Sequence, residues 1–187
     1  KIVTPSADSI ASAASKVAKS RGPAPVHLWN PPFCGDLDMR IARDGTWFYL
    51  GTPIGRQPLV KLFSSIIRKD GDAYFLVTPV EKVGITVEDA PFVAVDFDVS
   101  EKVVTFTTNV GDEIIAGPDN PIRVTLDPET GEPSPYVLVR ANLEALIDRK
   151  SFYRLVDQGE AAGVDGIDWF GVWSSGVFFP FIRISAL

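Results

Sequence analysis

Tyr74-Phe75-Leu76-Val77 and Tyr136-Val137-Leu138-Val139 are one short apolar strand written twice in a chain of 187 residues. Ile85 returns as Ile147 at the same offset. Upstream, Gly45, Gly51, Pro53-Ile54 and Arg56 have loose counterparts in Gly111, Gly117, Pro121-Ile122 and Arg123. Internal repeats decide architecture before any single motif does. The expectation is an α+β fold of two tandem related halves, mostly antiparallel strands with one helix packed on each. Its parts are an N-terminal helix over 1–22, a first half over 23–90 and a second half over 91–187. The repeat also makes Leu143, Ala145 and Ile147 a strand like Val83, Ile85 and Val87, although leucine, alanine and glutamate favour helices.

Outward from the repeat, period and punctuation assign the remaining elements. Thr4-Pro5 is a helix start, and Ile10, Ala13, Ala14, Val17 and Ala18 recur at helical spacing until Arg21-Gly22-Pro23. Four prolines between Pro23 and Phe33 require irregular, extended chain. Met39 to Arg43 alternates, Asp44-Gly45 turns, and Trp47 to Leu50 returns as a hairpin. Pro58 opens a helix whose Leu59, Leu62, Phe63, Ile66 and Ile67 make a stripe of core width, with Arg68-Lys69 in its last turn and Gly71 closing it. Phe92 to Val99 and Val103 to Thr108 read as an antiparallel pair. Short strands follow at 112–116, 122–126 and 136–140, then a helix from Ser151 to Gly159 and a closing strand rich in Trp and Phe.

Composition sets the bounds. Hydrophobic content of 45%, charged content of 22% and 12 Phe, 4 Tyr and 4 Trp describe a globular chain able to bury a core. One Cys and one His exclude a disulfide framework and any cysteine-cluster or multi-histidine metal site. A net charge of −6 argues against binding a nucleic-acid polymer, where Lys and Arg contacts to phosphate dominate. The longest apolar runs, such as Val177 to Ile182, fall far short of a membrane span, and the first residues show no leader pattern. A soluble cytoplasmic protein without a cofactor is expected.

Chemistry-bearing residues are few. Gly51 to Arg56 runs into a helix N-terminus, where unpaired N–H groups favour an anion and Arg56 adds a bidentate fork. It lacks the Gly-Lys-Ser/Thr ending of a phosphate-cradling loop, and an Arg56 paired to a carboxylate is the plainer alternative. Glu81-Lys82 follows the first copy of the repeated strand, and Arg140 ends the second. If the halves pack pseudo-symmetrically, Thr78 and Arg140 are equivalent positions facing a shared cleft, with Arg149 nearby. Such a positive pocket in an acidic protein suits an anionic small molecule, while salt bridging across a domain seam is the competing reading. Trp29 can stack on a planar ligand or plug a core edge. His27 and Cys34 have no orienting pattern around them, so an inert buried thiol is expected. Gly171-Val172-Trp173-Ser174-Ser175-Gly176 has one residue too many for a serine-hydrolase elbow, and the sole His precedes it. Asp36 with Asp38, and Asp96 with Asp98, share strand faces without calcium-loop spacing.

The segment Trp29 to Pro91 resembles the bacterial domain of unknown function family 1285. Its carriers are Trp29-Asn30-Pro31, Cys34-Gly35-Asp36, Asp44-Gly45-Thr46-Trp47, Gly51 to Arg56, Leu62-Phe63-Ser64, Thr78 to Lys82 and Val87 to Pro91. In the second half they are Tyr136 to Arg140, Leu143-Glu144-Ala145 and Ile147 to Val156. The resemblance implies a duplicated α+β fold whose second half is pleckstrin-homology-like. It also implies a small-ligand site, for a nucleotide-like molecule, at the interface of the halves and a role in signalling. The sequence reading is therefore a non-enzymatic ligand-binding or sensor protein, with ligand-binding residues Trp29, Arg56, Thr78, Glu81, Lys82, Arg140 and Arg149. The alternatives are a module that docks a partner protein or a second copy, and a small metal-dependent hydrolase.

Overall fold

The computed structural model describes residues 5–18 and 23–187. The chain divides into two compact units, Lys1–Pro91 and Phe92–Leu187.

In the first unit, α1 (Ala7–Val17) starts two residues later than Thr4-Pro5 suggests. Ser6 is its N-cap, and Ser6 and Ser9 satisfy each other's backbone N–H groups in a capping box. Thr4 and Arg21-Gly22 lie outside the described residues. A single 3-10 turn, Val26–Leu28, leads into β1 (Phe33–Ile41). There Leu37, Met39 and Ile41 are buried and Asp36 and Asp38 exposed, the two-residue period of a half-buried strand. β2 (Trp47–Tyr49) returns through the Asp44-Gly45 turn, with Gly45 at φ +92°, and β3 (Thr52–Pro53) folds back on it.

α2 (Gln57–Ser64) is shorter than its apolar period predicts. Ile66 and Ile67 continue the helical stripe numerically, but Ile67 begins β4 (Ile67–Asp70), so Arg68 and Lys69 are strand residues. β-Branched pairs fit a pleated surface better than a helix interior, and Gly71 at φ +61° is the tip of a hairpin rather than a helix cap. β5 (Ala73–Val77) and β6 (Lys82–Val87) complete a sheet of order β3-β2-β1-β6-β5-β4, in which β1 and β6 run parallel. Ile10, Met39, Ile41, Trp47, Phe63, Ile66, Ile67, Leu76 and Val83 form its core.

The second unit repeats this order. Its strands are β7 (Phe92–Ser100), β8 (Val103–Thr108), β9 (Glu113–Ile115), β10 (Ile122–Leu126), β11 (Pro133–Arg140) and β12 (Leu143–Ile147). They form a sheet of order β10-β11-β12-β7-β8-β9 with β7 and β12 parallel. Read from the other edge, it is the first sheet with every strand number raised by six. Tyr74–Val77 and Tyr136–Val139 thus sit on equivalent strands, β5 and β11, and Leu143 to Ile147 is a strand as the repeat requires. The upstream counterparts align differently. Gly45 turns β1 into β2, whereas Gly111 lies between β8 and β9; the equivalent of the Gly45 turn is Glu101-Lys102.

The helices do not repeat. No counterpart of α2 joins β9 to β10; instead α3 (Arg149–Val156) follows β12, with Asp148 accepting a bond from the Ser151 N–H as its cap. The predicted closing strand is a three-stranded sheet of β13 (Glu160–Val164), β14 (Ile167–Ser174) and β15 (Val177–Arg183). The strand orders do not confirm the pleckstrin-homology likeness.

Two-residue hairpins of this twist need positive φ at both central positions, which glycine or asparagine normally supplies. The β7–β8 hairpin uses Glu101 at φ +50° and Lys102 at φ +61°. A left-handed non-glycine residue costs roughly 1–2 kcal/mol. Glu101→Asn combined with Lys102→Gly is therefore expected to stabilise the second unit by about 1 kcal/mol, a rise of roughly 2–4 °C by calorimetry. An unchanged or lower midpoint would show that the native side chains offset the strain.

Candidate functional site

The structure divides the seven sequence-predicted residues into small groups. In the first unit, the Arg68 guanidinium joins Trp29 to Lys82. It donates to the Val26 and Trp29 carbonyls at 3.0 and 2.7 Å and to the Asp70 carboxylate, which also accepts from Lys82 Nζ at 3.0 Å. Lys82 lies 4.2 Å over the Phe75 ring, itself edge-on to Phe33. Trp29 is half-buried at the end of its 3-10 turn. Thr78 and Glu81 close one tight turn. Thr78 is fully buried; its hydroxyl accepts from the Val80 and Glu81 N–H groups, and its own N–H donates to the Glu81 carbonyl. The Glu81 carboxylate accepts from the Ser9 hydroxyl.

Arg56 stands apart, exposed at the N-cap of α2, and forms no ion pair among the described residues. The cations of the second unit are separate too. Arg140 is half-buried over the Phe92 ring with Asp112 at 3.7 Å; burial lowers its pKa from the ordinary guanidinium value, Asp112 opposing the shift. Arg149 is exposed and paired with Glu132. The Cys34 thiol is half-buried rather than buried and donates to the Pro32 carbonyl, while His27 is exposed. Gly171 to Gly176 belongs to the β14–β15 hairpin. Among the described residues no three His, Cys, Asp or Glu side chains cluster as a metal site, and no helix is long and apolar enough to cross a membrane.

A cavity lies elsewhere in the second unit. A groove of about 540 Å³ is lined by Lys102, Val104, Gln158, Glu160, Val172 and Trp173, with Val99 and Gly176 at its edges. Its volume falls within the ~300–1,000 Å³ of small-molecule sites. Two hairpin tips form its walls, and buried polar bonds fix one against the other. The Ser174 hydroxyl, fully buried, accepts from the Val104 N–H at 2.8 Å and donates to the Ala116 carbonyl at 2.7 Å. The Ser175 N–H donates to the Lys102 carbonyl at 3.2 Å, and its hydroxyl to Ala116 at 2.9 Å. Ser175 at φ +52° and Gly176 at φ +77° make the second tip left-handed like the first.

Trp173 is 41% exposed in this groove and packs on Phe178 at 5.3 Å. The Lys102, Glu160 and Gln158 side chains make no hydrogen bond or ion pair among the described residues. The groove thus presents an indole face, a cation, a carboxylate and an amide, all still able to engage a ligand. Sequence reasoning missed these residues. The legible signal was a two-residue connection, Glu101-Lys102, between clear strands with no turn-forming residue in it.

The model of the DUF1285 N-terminal domain, described as a domain of unknown function, matches residues 24–90, and that of the DUF1285 C-terminal domain matches residues 91–181. The chain belongs to the DUF1285 family. A crystal structure of a family member from Silicibacter pomeroyi DSS-3 is 62% identical, with a TM-score of 0.84 over 95% of this chain and 96% of that one. A second, from Shewanella baltica OS155, is 31% identical with a TM-score of 0.52, covering 65% of this chain and 91% of that one. Among curated proteins nothing matches the chain.

The Arg68–Asp70–Lys82 cluster gives the first unit an acid-sensitive contact. Burial raises the Asp70 pKa, but the hydrogen bonds from Lys82 and Arg68 outweigh it and hold the carboxyl below its ordinary 3.8. A depressed carboxylate contributes stability above its unfolded pKa, and that stability is lost as pH falls through the folded value. Urea unfolding at pH 7 and pH 3 should therefore show a larger acid loss in wild type than in Asp70→Asn. The difference is on the order of 1 kcal/mol or less, because the carboxylate is 41% exposed. Equal losses would remove Asp70 from the acid response.

Proposed function

We propose that this DUF1285 protein is a non-enzymatic small-ligand-binding protein of the sensor kind, and that its ligand is a small anion with a planar, nucleotide-like part. The observation that carries this reading is the groove in which an unpaired Lys102 stands beside a half-exposed Trp173. Stacking a planar heterocycle on an aromatic face contributes about 1–3 kcal/mol. The Gln158 amide offers both donor and acceptor, and the Glu160 carboxylate accepts, so the edge of a stacked ring finds partners there. Lys102 supplies the point charge for phosphate or carboxylate. Because the two tips are already tied together through Ser174 and Ser175, little ordering cost remains on binding. Binding, rather than turnover, is supported by the arrangement of the polar groups. A cation on one hairpin tip and an amide and a carboxylate on the stretch leading into β13 make no bond to one another, whereas a catalytic pair needs a nucleophile and base within hydrogen-bond reach.

The test is thermal unfolding and tryptophan fluorescence against mononucleotides, cyclic dinucleotides and simple dicarboxylates. A true ligand at a hundred times its dissociation constant should add about 2.7 kcal/mol of stability and quench Trp173. Trp173→Ala and Lys102→Ala should each weaken that ligand by about ten-fold or more. A panel without any shift, or a shift indifferent to both substitutions, would sink the reading.

A further inference from the structure

A second cavity in the same unit shares no lining residue with the Lys102–Trp173 groove. Its walls are Leu126, Pro133, Phe152, Val156, Phe170 and Phe181, drawn from the β10–β11 hairpin, one face of α3 and the β14–β15 pair. No charged or hydrogen-bonding side chain lines it. Its volume is about 270 Å³. An apolar cavity of roughly 150 Å³ stays dry and admits benzene, so this one has room for about ten carbons. Phe152 and Phe181, 5.3 Å apart, form a continuous aromatic wall.

The charge at its rim selects the kind of molecule. Gly131 and Pro133 both line the cavity, so Glu132 between them sits at its edge. The Glu132 carboxylate is held by Arg149, the first residue of α3 and one helical turn before Phe152. Both partners are exposed, with side chains 71% and 58% accessible for Arg149 and Glu132. Exposed ion pairs add little to stability, so a competing carboxylate can take the guanidinium from Glu132 at small cost. Bidentate Arg–carboxylate geometry makes such an exchange specific.

We propose that this cavity binds a medium-chain carboxylate, its acyl chain among Phe152, Val156, Phe170 and Phe181 and its head group on Arg149. The site is independent of the planar-anion groove, and its occupant differs in both shape and head group.

Titration calorimetry on the full chain tests the proposal with decanoate, decanol and butyrate as probes. Decanoate binds saturably with one site per chain, decanol about ten-fold more weakly, and butyrate not measurably. Arg149→Gln, a change at an exposed position, weakens decanoate about ten-fold and leaves decanol unchanged. Val156→Trp fills the cavity and abolishes both, with its circular dichroism spectrum and nucleotide response retained. Absence of saturable decanoate binding below its micelle concentration overturns the proposal. So does decanol binding as tightly as decanoate, or an equal effect of Arg149→Gln on both. The nucleotide panel is read through Trp173, so failure here leaves that reading standing, and the converse holds.

Discussion

Each six-stranded sheet is closed by one parallel ladder, and the rest of its architecture hangs on that ladder. β1-β2-β3 and β4-β5-β6 are antiparallel meanders whose internal contacts are local. Only the parallel pairing of the first strand with the last, Ile41 beside Val87 and Ile147 beside Ala94, joins meander to meander. Closing loops of that length costs chain entropy before any contact rewards it. The reward is visible in the burial: Ile41, Phe92, Ala94 and Ile147 are at or below 2% exposure. The ladder ends alike in both units. The Glu88 N–H donates to the Ile41 carbonyl, and the Asp148 N–H donates to the Ala94 carbonyl. In the second unit that last rung has another consequence, because Asp148 also caps α3. Closing the sheet therefore places the helix that carries Phe152 and Val156.

How much of this was legible follows from what each signal encodes. The Tyr-x-x-Val strand repeat was readable because burial on equivalent strands demands the same alternation. It overruled helix propensity correctly at Leu143 to Ile147, where the pleated neighbour decides the conformation. Glycines were poor guides to alignment. They mark turns without saying which turn, and so Gly45 matched Gly111 across different hairpins. The end of α2 was misread because Ile66 and Ile67 satisfy both periods; only β5 pairing against Ile67 tips the balance. The terminal sheet hid among aromatic residues, where neither period dominates.

The candidate site was less legible than the fold for a related reason. Sequence reasoning looked for cations beside recognisable loops, and all of them but Arg56 are held in ion pairs. Lys82 and Arg68 share Asp70, Arg140 faces Asp112, and Arg149 holds Glu132. Lys102 gave no such cue, since it reaches the groove from a hairpin tip whose backbone conformation its residue type disfavours. The Gly171–Gly176 stretch did stand out, but as a failed hydrolase elbow. Its serines serve a different end: they fasten one hairpin tip to another and present the Trp173 ring beside Lys102.

This pattern changes what a net charge of −6 implies. A uniformly acidic surface would repel an anion everywhere, but here several carboxylates, Asp70, Asp112 and Glu132 among them, are taken up by arginines beside them. Lys82 lines a concave surface on the open face of the first sheet, and Lys102 lines the groove of the second unit. Lys82 is neutralised by Asp70 at 3.0 Å, and its charge is further directed onto the Phe75 ring. Lys102 has no carboxylate within ion-pair distance among the described residues, although Glu160 lines the same groove. A ligand carrying both an anionic group and hydrogen-bond donors satisfies the two at once, which simple ion pairing across the groove would not.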